Sequence, residues 1–142
     1  MRVLALDLGT RRIGLAISDS LGITAQRLPV LERTTLAADV AAVAELVRQH
    51  GVTRIVVGLP LTLRGARGPQ AQRATAFRDA IRRHVTVPVE LVDERLTTAQ
   101  GQRTLLAMDV SRRKRKQQID AVAAQLILQL FLDTERQKAG PP

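Results

Sequence analysis

The chain has 142 residues, a length typical of one domain, and it carries 22 basic against 13 acidic residues, a formal charge of +9. This balance favours a polyanionic partner such as nucleic acid, although it could also serve to keep an arginine-rich surface soluble. The absence of cysteine excludes disulfides, thiolate zinc sites and cysteine nucleophiles. No apolar run is long enough to span a membrane, and charges interrupt the apolar N-terminal stretch. We therefore expect a cytoplasmic protein with no signal peptide and no membrane contact.

Apolar runs and amphipathic stretches follow one another along the chain. Strands are predicted over residues 2–8, 12–18, 25–31, 53–60 and 87–94. Helices are predicted over residues 35–50, from Pro69 to about His84, over 97–107, and along the apolar stripe between Ile119 and Phe131. Residues 111–116 read as a charged connector. His50 and His84 fall near helix C-termini and are interpreted as caps.

The order of these elements predicts an α/β fold with one mixed five-stranded sheet. Its first strands are joined by short links and should be antiparallel, whereas later strands alternate with helices and should be parallel. Helices are expected on both faces of the sheet. We expect a single domain over residues 1–136 and a frayed tail over 137–142.

One carboxylate stands inside the apolar first strand, in the stretch “LALDLGTRRIG”. Burying the Asp7 carboxylate there costs free energy, because a lone buried charge loses its hydration. A simple interpretation is that Asp7 caps the bend at Gly9 and Thr10. The alternative is that a cation pairs with it.

Two further acidic positions could join Asp7. Asp93 and Glu94 lie at the carboxyl end of the last strand, where ligands gather in open α/β sheets, and only one of them can share the face of Asp7. Asp120 lies near the start of the last helix, ahead of small residues that allow close packing on the sheet. Each acid could merely compensate a helix dipole. Converging carboxylates would instead need a hard cation, and oxygen ligands select Mg²⁺ or Mn²⁺, as one or two ions.

Six segments, taken in order, resemble the YqgF family, whose members are named as Holliday junction resolvases and as pre-16S rRNA nucleases. They are “LDLGTRRIGLAISD”, “GITAQ”, “VVGLPL”, “GPQAQ”, “VELVDERLTT” and “SRRKRK…IDAVAAQLILQ”, and the resemblance runs from about residue 3 to residue 133. The resemblance implies a ribonuclease H-like fold and a metal-dependent cytoplasmic nuclease that matures the 5′ end of 16S rRNA. By motif position it assigns the catalytic, metal-binding acids to Asp7, Glu94 and Asp120. The fourth strand ends in “VVGLPL” without an acid, so the second acid must come from the fifth strand.

Ten basic residues are candidates for binding nucleic acid, either because they adjoin the acids or because they lie in a glycine-containing loop or a charge run. They are Arg11, Arg12, Arg64, Arg67, Arg95, Arg112, Arg113, Lys114, Arg115 and Lys116. Solvated surface charge is the alternative for each. The chain has no Tyr or Trp, so recognition should depend on backbone and shape more than on base stacking.

Several alternatives stay open at the level of sequence. The opening strand with its “DLGT” turn also resembles the phosphate-cradling lobe of actin-like and sugar-kinase folds, although the chain has length for only one lobe. A non-catalytic RNA-binding assembly factor would need the positive charge but not the acids. A resolvase of branched DNA would need a homodimer. The sequence leaves open RNA against DNA, endonuclease against exonuclease, the choice and number of metal ions, and the oligomeric state.

Overall fold

The computed structural model describes residues 1–60, 65–93 and 112–139, with backbone alone for 112–121 and 139. Five strands and three helices lie in these segments. The strands are β1 (Val3–Leu8), β2 (Arg12–Ser18), β3 (Ala25–Glu32), β4 (Arg54–Leu59) and β5 (Val89–Asp93). The helices are α1 (Leu36–His50), α2 (Pro69–Arg82) and α3 (Arg112–Ala139). Within the described part of the chain, no helix has the length and apolar character needed to cross a bilayer.

The five strands form one mixed sheet in the order β3-β2-β1-β4-β5. β1 pairs antiparallel with β2, and β2 pairs antiparallel with β3. β1 and β4 are parallel, as are β4 and β5. The predicted α/β class and the mixture of antiparallel first strands with parallel later strands are therefore confirmed.

The sheet separates two apolar cores, because successive side chains of a strand point to opposite faces. Leu4 and Leu6 of β1 face α1 and α2, whereas Val3 and Ala5 face α3. The core on the first face includes Leu15, Val40, Val43, Ile55, Val57, Phe77 and Ile81. The core on the second includes Ala16, Val56, Ala124, Ile127, Leu128, Phe131 and Leu132. Helices thus cover both faces of the sheet, as the sequence predicts.

Most element boundaries agree with the sequence pattern to within about two residues, but the last helix does not. Residues 112–116, expected as a charged connector, form the first turns of α3. Arginine and lysine are good helix formers, and the run contains no glycine or proline that would stop a helix. α3 also continues to Ala139, beyond the expected domain boundary at residue 136. The helix predicted over 97–107 lies outside the described residues.

The helix ends follow ordinary capping chemistry. The Thr35 side chain accepts a hydrogen bond from the Ala38 N–H at 3.1 Å and begins α1. Gly51 ends the same helix with φ of 62°, a left-handed conformation that glycine adopts without strain. The His84 ring lies 3.0 Å from the carbonyl oxygen of Ala80 at the end of α2, which agrees with its interpretation as a cap.

The β2–β3 connection is organised by a single carboxylate. Asp19 Oδ1 accepts hydrogen bonds from the N–H groups of Ile23 at 2.7 Å and Thr24 at 3.2 Å. The bond from Ile23, aided by that from Thr24, holds the pKa of Asp19 below its usual value because both stabilise the ionised form. The turn therefore depends on the charged state of Asp19.

Candidate active site

Asp7 lies near the carboxyl end of the central strand β1, on the face of the sheet covered by α3. Alternation places it with Val3 and Ala5, whose side chains pack in the core beneath that helix. Its side chain is half-buried and interacts with other parts of the protein. β1 is the middle strand of five, so Asp7 has a neighbouring strand on either side.

Both sheet neighbours of Asp7 are glycines. Gly14 on β2 is directly opposite Asp7 in the antiparallel register. On the other side, β4 pairs Val57 with Leu6, so the next residue, Gly58, lies beside Asp7. Any other residue at these positions would place a Cβ about 5 Å from that of Asp7 on the same face. The strand neighbours of Asp7 therefore add no side chains to its surroundings.

The turn after β1 returns the chain directly into β2. The Gly9 N–H donates to the Arg12 carbonyl oxygen at 2.8 Å and closes the turn. A Cβ placed on Gly9 would lie only 2.8 Å from that same oxygen. Glycine is therefore required here by the close approach of two backbone segments.

An ion pair between the partly exposed Arg33 and the buried Asp39 braces this turn, and sequence reasoning missed both of its members. Arg33 donates from Nη1 to the Gly9 carbonyl oxygen at 3.0 Å and from its backbone N–H to the Arg11 carbonyl oxygen at 2.9 Å. Its Nε lies 3.6 Å from Oδ2 of Asp39, whose side chain is 3% exposed. Oδ1 of Asp39 also accepts from the Thr34 N–H at 3.1 Å and from its hydroxyl at 3.3 Å.

A sequence signal for this pair existed but was ambiguous. Asp39 lies in the first turn of α1, where an acidic residue is ordinary, and only its spacing to Val40 and Val43 indicates burial. Arg33 follows an edge strand and looks like one more surface charge. Folding brings it onto a turn 24 residues earlier in the chain.

Of the two acids predicted at the end of the last strand, the structure describes Asp93. Val89 and Leu91 pack in the core beneath α1 and α2, and Val92 packs in the core beneath α3. Alternation therefore puts Asp93 on the face opposite Asp7. Glu94, the predicted second acid, lies outside the described residues, and so does Arg95.

Asp120, the predicted third acid, belongs to α3, of which only the backbone is described at that position. It precedes the buried Ala124 and Leu128 by four and eight residues, the spacing of one helix face. Among the residues with described side chains, no cluster of three or more metal-ligating groups is present. The three acids therefore remain a prediction.

The basic candidates have different surroundings. Arg11 is exposed, and Arg12 forms an ion pair with Glu32 across β2 and β3, Nε to Oε1 at 3.3 Å. Arg67 is exposed in the segment before α2. Arg64 lies outside the described residues. The backbone of the run from Arg112 to Lys116 forms the N-terminal turns of α3.

Solved structures with the same architecture identify the fold class. RuvC of Thermus thermophilus, solved in complex with a Holliday junction substrate, matches with a TM-score of 0.59 at 17% identity, over 96% of each chain. The fowlpox virus Holliday junction resolvase matches with a TM-score of 0.55 at 13% identity, over 94% of this chain and 99% of that one. At these identities the likeness concerns the fold alone. That fold is the ribonuclease H-like one, a sheet with an acid on its central strand.

Sequence comparison then identifies the family. The model of the RuvX family, described as Holliday junction resolvase, matches residues 1–134. The “Putative pre-16S rRNA nuclease” of Myxococcus xanthus is 51% identical over 136 residues, 96% of this chain and 90% of its own. The protein of the same name from Moorella thermoacetica is 53% identical over 133 residues, 94% of this chain and 95% of its own. The chain belongs to the RuvX family, also called YqgF, and is a nuclease.

Proposed function

We propose that the protein is a metal-dependent phosphodiesterase that processes the 5′ end of pre-16S rRNA, with Asp7, Glu94 and Asp120 as its catalytic and metal-binding acids. The observation that carries the catalytic part of the proposal is the position of Asp7. It lies at the carboxyl end of the central strand, with a glycine on each neighbouring strand. The substrate follows from the names of relatives that share about half of their residues with this chain.

The direction of α3 supports a role for Asp120. Gln129 Nε2 donates to the Ile23 carbonyl oxygen at 3.3 Å, and one turn earlier Gln125 Nε2 donates to that of Ala25 at 2.9 Å. Residues nearer the N-terminus of α3 therefore contact residues further along the chain toward and into β3. β3 runs in the same direction as β1, because both are antiparallel to β2. α3 is therefore antiparallel to β1, and its N-terminal part points toward the end of the sheet that carries Asp7.

Distances along the two elements agree with this direction. Leu132 approaches Gly22, close to Met1, at the start of β1. From Leu132 back to Asp120 is twelve residues, which is about 18 Å along a helix. From Val3 to Asp7 is four residues, which is about 13 Å along a strand. These lengths support the proposal that Asp7 and Asp120 lie toward the same end of the sheet.

Strand alternation supports Glu94 over its neighbour. Asp93 falls on the α1–α2 face, so the next residue of a continuing strand would fall on the face of Asp7. The carboxyl ends of β1 and β5 also lie at the same edge of the sheet, because both strands are parallel to β4 between them. Three acids would then approach one point from β1, β5 and α3.

The donor set suits a hard divalent ion. Three carboxylates supply only oxygen ligands, as Mg²⁺ and Mn²⁺ prefer, and the glycines at positions 14 and 58 place no Cβ beside Asp7. Such an ion supplies a nucleophilic hydroxide and neutralises charge on the scissile phosphate. The protein's own task is to hold the carboxylates ionised and the phosphodiester in line between them. Exposed arginines would hold the backbone of the substrate.

Cleavage of a labelled transcript that spans the 5′ end of the 16S precursor tests this proposal. In Mn²⁺ or Mg²⁺ the wild type should cut at one position, and D7N, E94Q and D120N should each reduce the rate by at least 100-fold. D93N is the matched control. It removes a carboxylate that adjoins Glu94 in sequence but lies on the face of the sheet opposite Asp7. Unchanged cleavage in the three variants would refute the metal site. Tight binding with no cleavage by the wild type would favour a non-catalytic assembly factor.

Branched DNA is the second candidate substrate, and the description of the family model as Holliday junction resolvase favours it. Symmetric cutting of a four-way junction requires two active sites, hence a homodimer. A synthetic four-way junction and the rRNA transcript should be compared at the same physiological salt. Faster cleavage of the junction, by a species that sediments as a dimer, would support this alternative over the RNA substrate.

A further inference from the structure

The two arginines that follow Asp7 differ in what they contact, although they are adjacent in sequence. Arg12 begins β2 and is engaged with Glu32 on the neighbouring strand. The Arg11 side chain is exposed, and it contacts no acidic group among the residues whose side chains are described. An arginine that already faces a carboxylate has part of its charge neutralised and fewer free donors, so it attracts a phosphate less strongly. Among the residues whose side chains are described, Arg11 has no such partner.

The backbone that carries Arg11 is held from both sides. On one side the turn closes on itself through the Gly9 N–H and the Arg12 carbonyl oxygen, 2.8 Å apart. On the other, the Arg33 side chain donates from Nη1 to the Gly9 carbonyl oxygen at 3.0 Å, and the Arg33 backbone N–H donates to the Arg11 carbonyl oxygen at 2.9 Å. These contacts hold the Gly9–Thr10 and Arg11–Arg12 peptide groups, one before Thr10 and one after Arg11.

The brace is itself anchored in the core of the protein. Asp39, which contacts the Arg33 guanidinium, is 2% exposed as a residue and lies in the first turn of α1. Its other oxygen is held by the backbone N–H and the hydroxyl of Thr34. The position of the turn is therefore tied to α1, a buried element, and not only to the two strands that it joins.

We propose that the Gly9–Arg12 turn is a pre-organised phosphate-binding turn, in which Arg11 contacts the substrate backbone beside Asp7. Arg33 is its positioning residue: it touches no substrate and acts by holding the turn. The ligand is a phosphodiester group of the substrate backbone, adjacent to the phosphodiester that is cut. This inference rests on the proposed function, because it takes the end of the sheet that carries Asp7 as the place of cleavage.

Pre-organisation makes the turn effective. A guanidinium on a free loop loses conformational freedom when it binds a phosphate, and that loss offsets part of the interaction. Holding the backbone beforehand reduces the loss to that of the side chain itself. Arginine suits this role because its planar fork matches two phosphate oxygens at once.

The test is the salt dependence of binding, measured in EDTA so that no cleavage occurs. The probe is the same labelled 16S precursor transcript, with the dissociation constant determined between about 50 and 300 mM KCl. R11A should weaken binding about tenfold at low salt and reduce the slope of log K against log salt by about one. R12A removes the same charge one residue away and is the matched control. It should change the affinity less than threefold and leave the slope unchanged.

Arg33 is tested through its coupling to Arg11. R33A removes the side-chain bond to Gly9 but keeps the backbone bond to Arg11, so it should weaken binding by no more than R11A does. The double variant R11A/R33A should be no weaker than R11A alone, since both substitutions act on the same contact. R33K keeps a cation beside Asp39 but not the fork that reaches Gly9, so it should fold and still bind like R33A. Additive losses for Arg11 and Arg33 would refute the positioning role.

Failure of this inference can be told apart from failure of the proposed function. Equal slopes for R11A and R12A would overturn the phosphate-binding turn, whatever D7N does to cleavage. Cleavage that survives in D7N would overturn the catalytic proposal, whatever the salt slopes are. The binding measurement needs no metal ion, so the two results are independent.

Discussion

Arg54 joins three elements at the end of the sheet opposite Asp7, and its removal gives a quantitative test of the fold. Its guanidinium binds Oε1 of Glu90 through both Nε and Nη2, lies 3.6 Å from Glu135, and stands 5.0 Å from the centre of the Phe131 ring. β4, β5 and α3 are therefore connected through one side chain.

The magnitude follows from these contacts. The Arg54 side chain is 27% exposed and that of Glu90 is 39% exposed, so solvent screens the pair in part and it contributes about 1 kcal/mol. The ring contact contributes about 0.5–1 kcal/mol, and the longer contact to Glu135 adds little. R54A should thus lower the free energy of unfolding by about 2 kcal/mol.

Urea unfolding followed by far-ultraviolet circular dichroism measures this change, with R48A as the control. Among the described residues Arg48 pairs with Glu45 alone, and both side chains are more than half exposed, so R48A should cost less than about 0.5 kcal/mol. R54A should cleave normally below its unfolding transition, because Arg54 pairs with Val3 at the far end of β1 from Asp7. If R54A were no less stable than R48A, the assignment of α3 docking to Arg54 would be wrong.

Three further predictions concern glycines and the β2–β3 turn. G9A should lower the free energy of unfolding by about 1–3 kcal/mol, because its Cβ would meet a backbone oxygen at 2.8 Å, whereas G68A, with nothing within 4 Å, should cost less than about 0.5 kcal/mol by urea unfolding. G14V should reduce cleavage at least 100-fold yet keep the affinity for RNA in EDTA within threefold, since the new side chain would stand directly beside Asp7, the proposed catalytic acid; undiminished cleavage would contradict this. Asp19 has a lowered pKa, so its ionised form stabilises the fold at neutral pH, and this contribution is lost as the pH falls through the folded pKa. D19N should therefore unfold at lower temperature than wild type at pH 7, and the difference should shrink below about pH 4.

The strands, their pairing and the two-sided core follow from periodicity, because each strand has a clear apolar pattern. Short links dictate antiparallel pairing, and alternation with helices dictates the parallel pairs. The start of α3 could not be predicted, since a run of arginine and lysine has no apolar period to reveal a helix. Charge patterning alone does not distinguish a solvated helix from a loop.

The sequence predicts only part of the candidate site. Asp7 stands out because it interrupts an apolar run, and its face follows from counting residues along one strand. The Arg33–Asp39 brace could not be predicted, because its members look like an ordinary surface charge and an ordinary helix-start acid. Their meeting with Gly9 depends on how β3 and α1 pack, which no local pattern encodes. The different surroundings of Arg11 and Arg12 likewise depend on the cross-strand position of Glu32.

The central claim is that one cation is held by carboxylates from β1, β5 and the last helix. Calorimetric titration of the folded protein with Mn²⁺ tests it most directly, with D7N, E94Q and D120N titrated beside the wild type and D93N as the control. Saturable binding by wild type and D93N, weakened at least tenfold in each of the other three variants, is the expected result. Equal Mn²⁺ affinity in all five proteins would contradict a shared ion.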